Sequence, residues 1–321
     1  MKKLLVGYGA ADLTREMLDG DVTCHVLDIY HRHAIEKVWH ARVICSPHLP
    51  EGPWDLICFR TGPKLMSGEL TLDLLQEVRA LAGGDLKAAR GKWVLDYIGR
   101  ERDRNDLLDK VCGNIRRVRD FSATWTASVP GGPKLPFVST PGCFCHRRLD
   151  EGGLALAEVV ARDLASPGLA LPTPAGQTPT LLDMGCGCGL VGLLVADAYR
   201  RLHPSENLGL VLVDSHSRAV EAATLNAKAQ GAPAEIILAD GGTPARMDGT
   251  FDIFVGNPPY YSDYRIADVF LETAKRALRS GGVCYSVCKN AAGLKPVQER
   301  YFSSVRVIPR RGYAVLVSVK A

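Results

Sequence analysis

The stretch TLLDMGCGCGL, residues 180–190, decides the fold class. Its apolar residues form a short buried-strand pattern that ends at Asp183, and glycines follow at Gly185, Gly187 and Gly189 before a helical pattern begins. A strand that passes through a glycine-rich turn into a helix is typical of α/β proteins in which backbone approaches a ligand closely. The G-x-G-x-G spacing differs from the G-x-G-x-x-G of dinucleotide binders.

The sequence beyond this turn alternates between strand and helix patterns. We predict strands at 208–213, 235–238, 251–255, 283–287 and 314–319, and helices at 190–201, 217–230 and 266–278. Gly281 and Gly282 are expected to end the last of these helices. Such alternation predicts a doubly wound, mostly parallel sheet with helices on both faces.

Acidic residues follow two of the predicted strands. Asp214 ends the strand at 208–213, where its carboxylate could accept hydrogen bonds from both hydroxyls of a ribose. Asp240 follows the strand at 235–238 and could take an adenine amino group. Ligands of doubly wound sheets lie at the carboxyl ends of the strands, so these acids are candidate ligand contacts. Taken alone, Asp183 and Asp214 could instead be helix caps.

The sequence Asn257-Pro258-Pro259-Tyr260 ends the strand at 251–255. Two prolines cannot continue a strand ladder. The side-chain oxygen of Asn257 and the carbonyl of Pro258 could accept both hydrogens of a planar amino group, and the prolines would fix the direction of that carbonyl. Tyr260 offers a ring on which a flat base could stack. This chemistry requires no metal.

The first half of the chain is similar to the second. HVLDIYHRHAIEKV, from residue 25, is similar to LVDSHSRAVEAA, from residue 212, and WDLICFRTGP, from residue 54, is similar to FDIFVGNPPY, from residue 251. The first-half glycine turn lacks the acid and the third glycine, and Arg60-Thr61-Gly62 replaces the Asn-Pro-Pro sequence. We interpret the first half as a degenerate copy, with chance similarity between two α/β domains as the alternative.

The ordered set of glycine turn, two acids and N-P-P-Y resembles the class I S-adenosylmethionine-dependent methyltransferases. In that family the glycine loop faces the methionine moiety, the second-strand acid holds the ribose and the third-strand acid reads the adenine. The resemblance implies S-adenosylmethionine as cofactor and catalysis by Asn257, Pro258, Pro259 and Tyr260. It implies cofactor binding by Asp183, Gly185, Gly187, Gly189, Asp214 and Asp240.

The duplicated layout and residues 139–153 resemble the bacterial ribosomal RNA guanine-N2 methyltransferases. That family includes type C enzymes, which act on the small ribosomal subunit, and type G enzymes, which act on the large subunit. PGCFC, from residue 141, and LDEGG, from residue 149, occupy the places of the family's P-G-V-F-S and D-G-L-D-x-G. The resemblance implies that this segment covers the cofactor, which makes Phe144 and Asp150 further cofactor-site candidates.

The resemblance implies two tandem Rossmann-like domains. Residues 1–122 would be the degenerate copy, which docks and orients RNA, and residues 123–321 the catalytic domain. The expected substrate is a guanine N2 amino group in ribosomal RNA or a ribosomal subunit. The family usually has N-P-P-F followed by His, whereas this chain has Tyr260-Tyr261. Adenine N6 in RNA or DNA, a protein glutamine, or a non-catalytic RNA-binding role therefore stay open.

Composition is compatible with these expectations. The 321 residues are 46% hydrophobic and carry a net charge of +4, which permits a nucleic-acid partner without requiring one. Basic residues in 289–295 and 310–311 are candidate phosphate contacts. Basic residues also cluster in 99–120, but several Asp residues lie among them, and an ordinary solvated helix is at least an equal interpretation there. No apolar run approaches the roughly 20 residues of a membrane helix, and the first residues do not resemble a signal peptide. We expect a cytoplasmic protein without a membrane partner.

The ten cysteines are expected to be reduced thiols. A metal site formed by Cys143, Cys145 and His146 is the less favoured interpretation, because no C-x-x-C pairs of the zinc-ribbon type are present. We interpret the cysteines as small apolar fillers and predict no metal.

Overall fold

The structure is a computed structural model, and it describes residues 1–89, 91–112, 118–259 and 264–321. The chain divides into two compact units. Unit 1 comprises Met1–Ser122 with the short stretches Thr140–Gly142 and His216–Arg218. Unit 2 comprises Ala123–Ser139, Cys143–Ser215 and Ala219–Ala321.

Unit 1 contains a five-stranded parallel sheet and its helices. Its elements are β1 (Lys2–Val6), β2 (Asp21–Val26), α1 (Ile29–Trp39), β3 (Arg42–Cys45), β4 (Leu56–Thr61), α2 (Gly68–Leu81), β5 (Trp93–Tyr97) and α3 (Glu101–Cys112). The strand order is β3-β2-β1-β4-β5, and every pairing is parallel.

Unit 2 contains a seven-stranded sheet and a two-stranded antiparallel hairpin. Its elements are β6 (Ala123–Ala127), β7 (Leu135–Ser139), α4 (Glu151–Leu164), β8 (Thr180–Met184), α5 (Leu190–Leu202), β9 (Gly209–Asp214), α6 (Ser217–Ala229), β10 (Ala234–Leu238), β11 (Phe251–Gly256), α7 (Arg265–Ala277), β12 (Leu278–Cys288), α8 (Ala291–Gln298), β13 (Arg306–Arg310) and β14 (Tyr313–Val319). The large sheet has the order β10-β9-β8-β11-β12-β14-β13, in which only the last two pairings are antiparallel.

The two sheets share one strand order. In the five-stranded sheet of unit 1 and the seven-stranded sheet of unit 2, the first strand of the sheet (β1 or β8) lies between its second and third strands on one side and its fourth and fifth on the other. Unit 2 then adds β14 and β13 beyond its fifth strand. The prediction of two doubly wound α/β units is therefore confirmed.

The core of unit 2 lies on both faces of its sheet. All six residues of β11 are buried. Ile253 and Val255 point to the face covered by α4 and α5, whereas Phe254 points to the face packed against α7. Successive side chains of a strand alternate between faces, so a strand covered on both sides carries a continuous apolar run. This explains why the run at 251–255 is uninterrupted except at Asp252.

The prediction that Gly281 and Gly282 end a helix is wrong. Helix α7 ends at Ala277, and β12 begins at once with Leu278, which pairs with Phe251 of β11. The Gly281 N–H donates to the carbonyl of Lys320 at 2.7 Å, so the glycines lie inside a strand. Pairing with neighbouring strands outweighed the local signal of two adjacent glycines.

Strand β13 was not predicted from the sequence. Its residues are mostly exposed, and it lies at the edge of the sheet. It contains Pro309, which is tolerated at an edge because no further strand has to accept a hydrogen bond there. An exposed edge strand has no buried apolar run by which its sequence could reveal it.

Candidate functional site

The carboxyl ends of four parallel strands meet at one edge of the sheet of unit 2. Gly256 of β11 pairs with Met184 of β8, which pairs with Val213 of β9, and Val213 pairs with Ile237 of β10. The predicted residues lie at or within two residues of these strand ends, namely Asn257, Gly185, Asp214 and Asp240. The register thus brings four separate sequence motifs to one edge, at the place where doubly wound sheets bind ligands.

The glycine turn after β8 adopts backbone conformations that favour glycine. The φ angles of Gly185, Gly187 and Gly189 are 68°, 56° and 84°. A Cβ atom at Gly185 would lie 2.7 Å from the ring of Phe270, so this glycine is required for packing. A Cβ atom at Gly187 would meet no atom of the described residues within 4 Å. The described residues therefore leave open space beside Gly187, where a ligand can approach its backbone.

Asp214 is tied to the glycine turn. Its Oδ2 atom accepts a hydrogen bond from the Gly187 N–H at 2.9 Å. The carbonyl of Asp214 accepts from the N–H of Ala239 at 3.0 Å, which holds the end of β10 beside the end of β9. Asp240, the next residue, is half-buried. The two predicted acids thus lie on neighbouring strand ends.

Asp183 lies beneath the turn and is 2% exposed. Its Oδ2 atom accepts from the N–H of Gly192, in the first turn of α5, at 2.8 Å. Burial, together with the nearby carboxylates of Asp214 and Asp150, raises the pKa of Asp183 to about 7, although the Gly192 hydrogen bond opposes this shift. The side chain fixes the start of α5 against the sheet, and so supports the glycine turn from below.

Asn257 contacts an acid that is distant in sequence. Its Nδ2 atom donates to the Oδ2 atom of Asp150 at 2.8 Å, across 107 residues of chain. Asp150 is the N-cap of α4, and its Oδ1 atom accepts from the Gly152 N–H at 3.0 Å. Nothing in the sequence predicted this contact, because neither motif contains a signal for the other. Pro258 is buried and Pro259 half-buried, while Tyr260 lies outside the described residues.

The segment expected to cover a cofactor has an irregular backbone. Cys145 and Arg147 have positive φ angles of 54° and 66°. Phe144 is 64% exposed, so its ring lies at the surface and adds nothing to the core. Of the two candidates in this segment, only Asp150 makes a hydrogen bond to Asn257.

The cysteines of the glycine turn are buried thiols. Burial raises the pKa of Cys188 to about 12 and holds the pKa of Cys186 well above its usual range. Both are therefore neutral at physiological pH and pack as small apolar side chains. Within the described ranges, no three His, Cys, Asp or Glu side chains are grouped so that they could hold a metal ion. None of the described helices is long and apolar enough to cross a membrane.

Several of the predicted phosphate contacts are engaged in ion pairs. Arg310 pairs with Glu158, and Arg311 pairs with Glu151 at 2.8 Å and with Glu158 at 3.3 Å. The ammonium group of Lys289 lies 4.4 Å from the centroid of the Tyr313 ring. Of the basic stretch 99–120, residues 113–117 lie outside the described residues.

Comparisons of the sequence identify a family. The methyltransferase small domain family matches residues 134–317. A ribosomal RNA small subunit methyltransferase C from Pseudomonas aeruginosa (strain LESB58) is 33% identical over 54% of this chain and 48% of its own length. The chain thus spans about half the length of several curated relatives that it matches. The proteins of the same name from Pseudomonas syringae pv. tomato and Stutzerimonas stutzeri align over 88% and 94% of their lengths, at 31% and 30% identity.

Comparison of structures agrees with the fold. The T. thermophilus 16S rRNA N2 G1207 methyltransferase, solved in complex with AdoMet and guanosine, covers all of this chain and 88% of its own, with a TM-score of 0.78 and 18% identity. At this identity the likeness shows the fold alone. From the matched domain and the two relatives aligned over nearly their full lengths, we conclude that the chain belongs to the methyltransferase small domain family, together with the proteins named ribosomal RNA small subunit methyltransferase C.

Proposed function

We propose that this protein transfers a methyl group from S-adenosylmethionine to the N2 amino group of a guanine in small-subunit ribosomal RNA. One observation carries the proposal: Asn257 and Pro258 follow the end of β11, β11 pairs with β8, and the glycine turn after β8 is hydrogen-bonded to Asp214. Two candidate acceptors for a planar amino group thus share an edge with a candidate nucleoside site. Relatives that are named for small-subunit rRNA support this choice of substrate.

The residues at the strand edge fit S-adenosylmethionine. The open space beside Gly187 allows close approach of the methionine moiety to the backbone. Asp214 would hold the ribose hydroxyls and Asp240 the adenine amino group, with Asp183, Gly185 and Gly189 shaping the turn. When bound, the cofactor supplies a methyl group that is already activated on a sulfonium. Phe144 would cover this site from the surface.

The Asn-Pro-Pro sequence would bind and orient the acceptor amino group. The lone pair of an amino group on a guanine is delocalised into the π system of the ring, which makes it a poor nucleophile. The Oδ1 atom of Asn257 and the carbonyl of Pro258 would accept both amino hydrogens and so orient the nitrogen lone pair towards the methyl group. Such positioning supplies much of the rate acceleration when the leaving group is already good. Tyr260 would stack on the extruded base.

Unit 1 would dock and orient the RNA without catalysing the reaction. At the place that Asn257 holds in unit 2, unit 1 has Arg60, whose guanidinium pairs with Asp12 at 2.9 Å and Asp96 at 2.5 Å. The same guanidinium lies 5.4 Å from the centroid of the Tyr8 ring. Ion pairs therefore occupy the edge where unit 2 has its candidate ligand site. We place the protein in the cytoplasm, with its ribosomal RNA substrate.

Methyl transfer to three substrates tests the proposal. Small subunits, large subunits and a ribosome-free protein extract would be incubated with labelled S-adenosylmethionine, and the labelled product digested and identified. Label in N2-methylguanosine from the small subunit is the expected result. Label in adenosine or in glutamine would overturn the acceptor but keep the cofactor, and absence of cofactor binding would overturn the enzymatic role.

A further inference from the structure

The orientation of the Asn257 amide decides whether this side chain can serve as an acceptor. An asparagine amide has an oxygen that accepts and a nitrogen that donates, and the two are related by a flip of about 180°. With the amide flipped, the Nδ2 donor of Asn257 would face the N–H donors of the acceptor amino group. The Asn-Pro-Pro sequence itself contains nothing that selects one orientation over the other.

We propose that Asp150 is a positioning residue that fixes the Asn257 amide with its oxygen towards the acceptor amino group. This inference deepens the proposed function and rests on it. An ionised carboxylate has no hydrogen to donate, so only the Nδ2 atom of Asn257 can form the 2.8 Å contact with Asp150 Oδ2. The Oδ1 atom of Asn257 must then point away from Asp150.

Asp150 is itself held firmly. It caps α4, with Oδ1 accepting from the N–H of Gly152 at 3.0 Å, and the N–H of Gly153 also donates to this carboxylate. Hydrogen bonds from two backbone groups leave the carboxylate little rotational freedom. The amide of Asn257 is thus oriented by a side chain that is anchored to the first turn of a helix.

The two glycines that follow Asp150 provide the space for this arrangement. A Cβ atom at Gly153 would lie 2.6 Å from Asp150 Oδ2, the atom that contacts Asn257. A Cβ atom at Gly152 would lie 3.0 Å from the ring of Tyr313. The two glycines of the Asp-Glu-Gly-Gly sequence therefore leave room for the Asp150 carboxylate, and this role is separate from covering a cofactor.

The charge state of Asp150 also affects the orientation of the Asn257 amide. Burial raises the pKa of Asp150 and the charge of Glu151 adds to this, whereas the hydrogen bonds from Gly153, Asn257 and Gly152 oppose it. Asp183, Cys145 and Cys188 also lie within electrostatic reach of this carboxylate, and Lys289 lies over the Tyr313 ring that packs on Gly152. Protonated Asp150 could donate to the amide oxygen of Asn257 and so stabilise the flipped orientation.

Kinetics of two variants separate orientation from helix capping. Asp150→Ala is expected to lower kcat about 100-fold, the usual effect of a misplaced reacting group, and to change the Kd for S-adenosylmethionine much less than kcat. Asp150→Asn can accept or donate, so we expect a smaller loss of kcat and loss of the acidic limb of its pH profile. Ser67→Ala is the matched control, because Ser67 caps α2 through the Leu70 N–H. This control should keep full kcat; an unchanged kcat in Asp150→Ala would overturn the proposal.

A direct readout does not depend on activity. The chain has six asparagines, so a protein labelled with nitrogen-15 asparagine gives few side-chain amide signals. The signal that disappears in Asn257→Ala belongs to Asn257, and we expect its chemical shift to move in Asp150→Ala but not in Ser67→Ala. A signal that stays in place would overturn the orienting contact. A signal that moves in a protein inactive on every RNA tested would preserve the contact and reject the proposed function instead.

Discussion

Alanine at Gly187 should weaken cofactor binding with only a small loss of stability. The φ angle of Gly187 is 56°, and within the part of the chain that the structure describes a Cβ atom there meets no atom within 4 Å. The left-handed conformation costs a residue with a side chain about 1–2 kcal/mol. The smaller conformational entropy of the unfolded alanine variant offsets about 0.4–1 kcal/mol of this. The net loss should be about 1 kcal/mol, because no clash adds to it.

Gly231 offers a matched control in the same unit. Its φ angle is 59°, and a Cβ atom there also meets none of the described atoms within 4 Å. Gly231 follows the carboxyl end of α6 and does not belong to the strand-end edge. Both alanine variants should therefore lower Tm by a similar amount, about 2–4 °C for a unit of this size.

The two variants should differ in ligand affinity. The methyl group of Gly187→Ala would occupy the open space where we place the cofactor, and we expect a loss of affinity for S-adenosylmethionine of about 10-fold or more, equivalent to about 1.4 kcal/mol. Gly231→Ala should have the same affinity for S-adenosylmethionine as the wild-type protein. Isothermal titration calorimetry measures the affinities and scanning calorimetry the stabilities. Equal affinities in the two variants, at equal Tm, would refute the placement of the cofactor beside Gly187.

Three further predictions concern the acceptor site, the core and a buried acid. Asn257→Ala should lower kcat about 100- to 1000-fold, with cofactor affinity retained in calorimetry; a comparable loss of affinity would argue against an acceptor role. Arg279→Ala should destabilise unit 2 by about 3 kcal/mol, because it removes the 2.6 Å ion pair with Asp252, whose side chain is 0% exposed. Urea unfolding measures this loss of stability, and a change below about 1 kcal/mol would contradict the prediction. The pKa of Asp183 is raised to about 7 in the folded state. Between about pH 4 and pH 7 the folded state therefore binds a proton at Asp183 that the unfolded state does not bind, and the contribution of Asp183 to stability falls as pH rises. Asp183→Asn should flatten that part of the Tm profile, and an unchanged slope would contradict the shift.

The local patterns of this chain were sufficient for the fold class. Buried parallel strands require continuous apolar runs, such as residues 251–255, because both faces of the sheet are covered. The turn at 185–189 requires glycines because its φ angles are positive. Both constraints act on residues that are neighbours in the chain, so the sequence alone displays them. Family membership followed from the same motifs.

Other features depended on the tertiary structure. The two glycines at 281 and 282 were expected to end a helix but lie inside β12, because pairing with β11 and the contact to Lys320 continue the strand. The exposed edge strand β13 had no apolar signal. In both cases the deciding interactions come from strands that are distant in sequence.

The sequence by itself determined which motifs are present: the glycine turn, the acids after β9 and β10, and the Asn-Pro-Pro sequence after β11. Only the tertiary structure decided that Asp183 lies under the turn and that Asp150 holds the amide of Asn257. A motif is a local pattern of residue types and spacing. A hydrogen bond between residues 107 positions apart depends on strand order, register and helix packing, which local patterns do not specify.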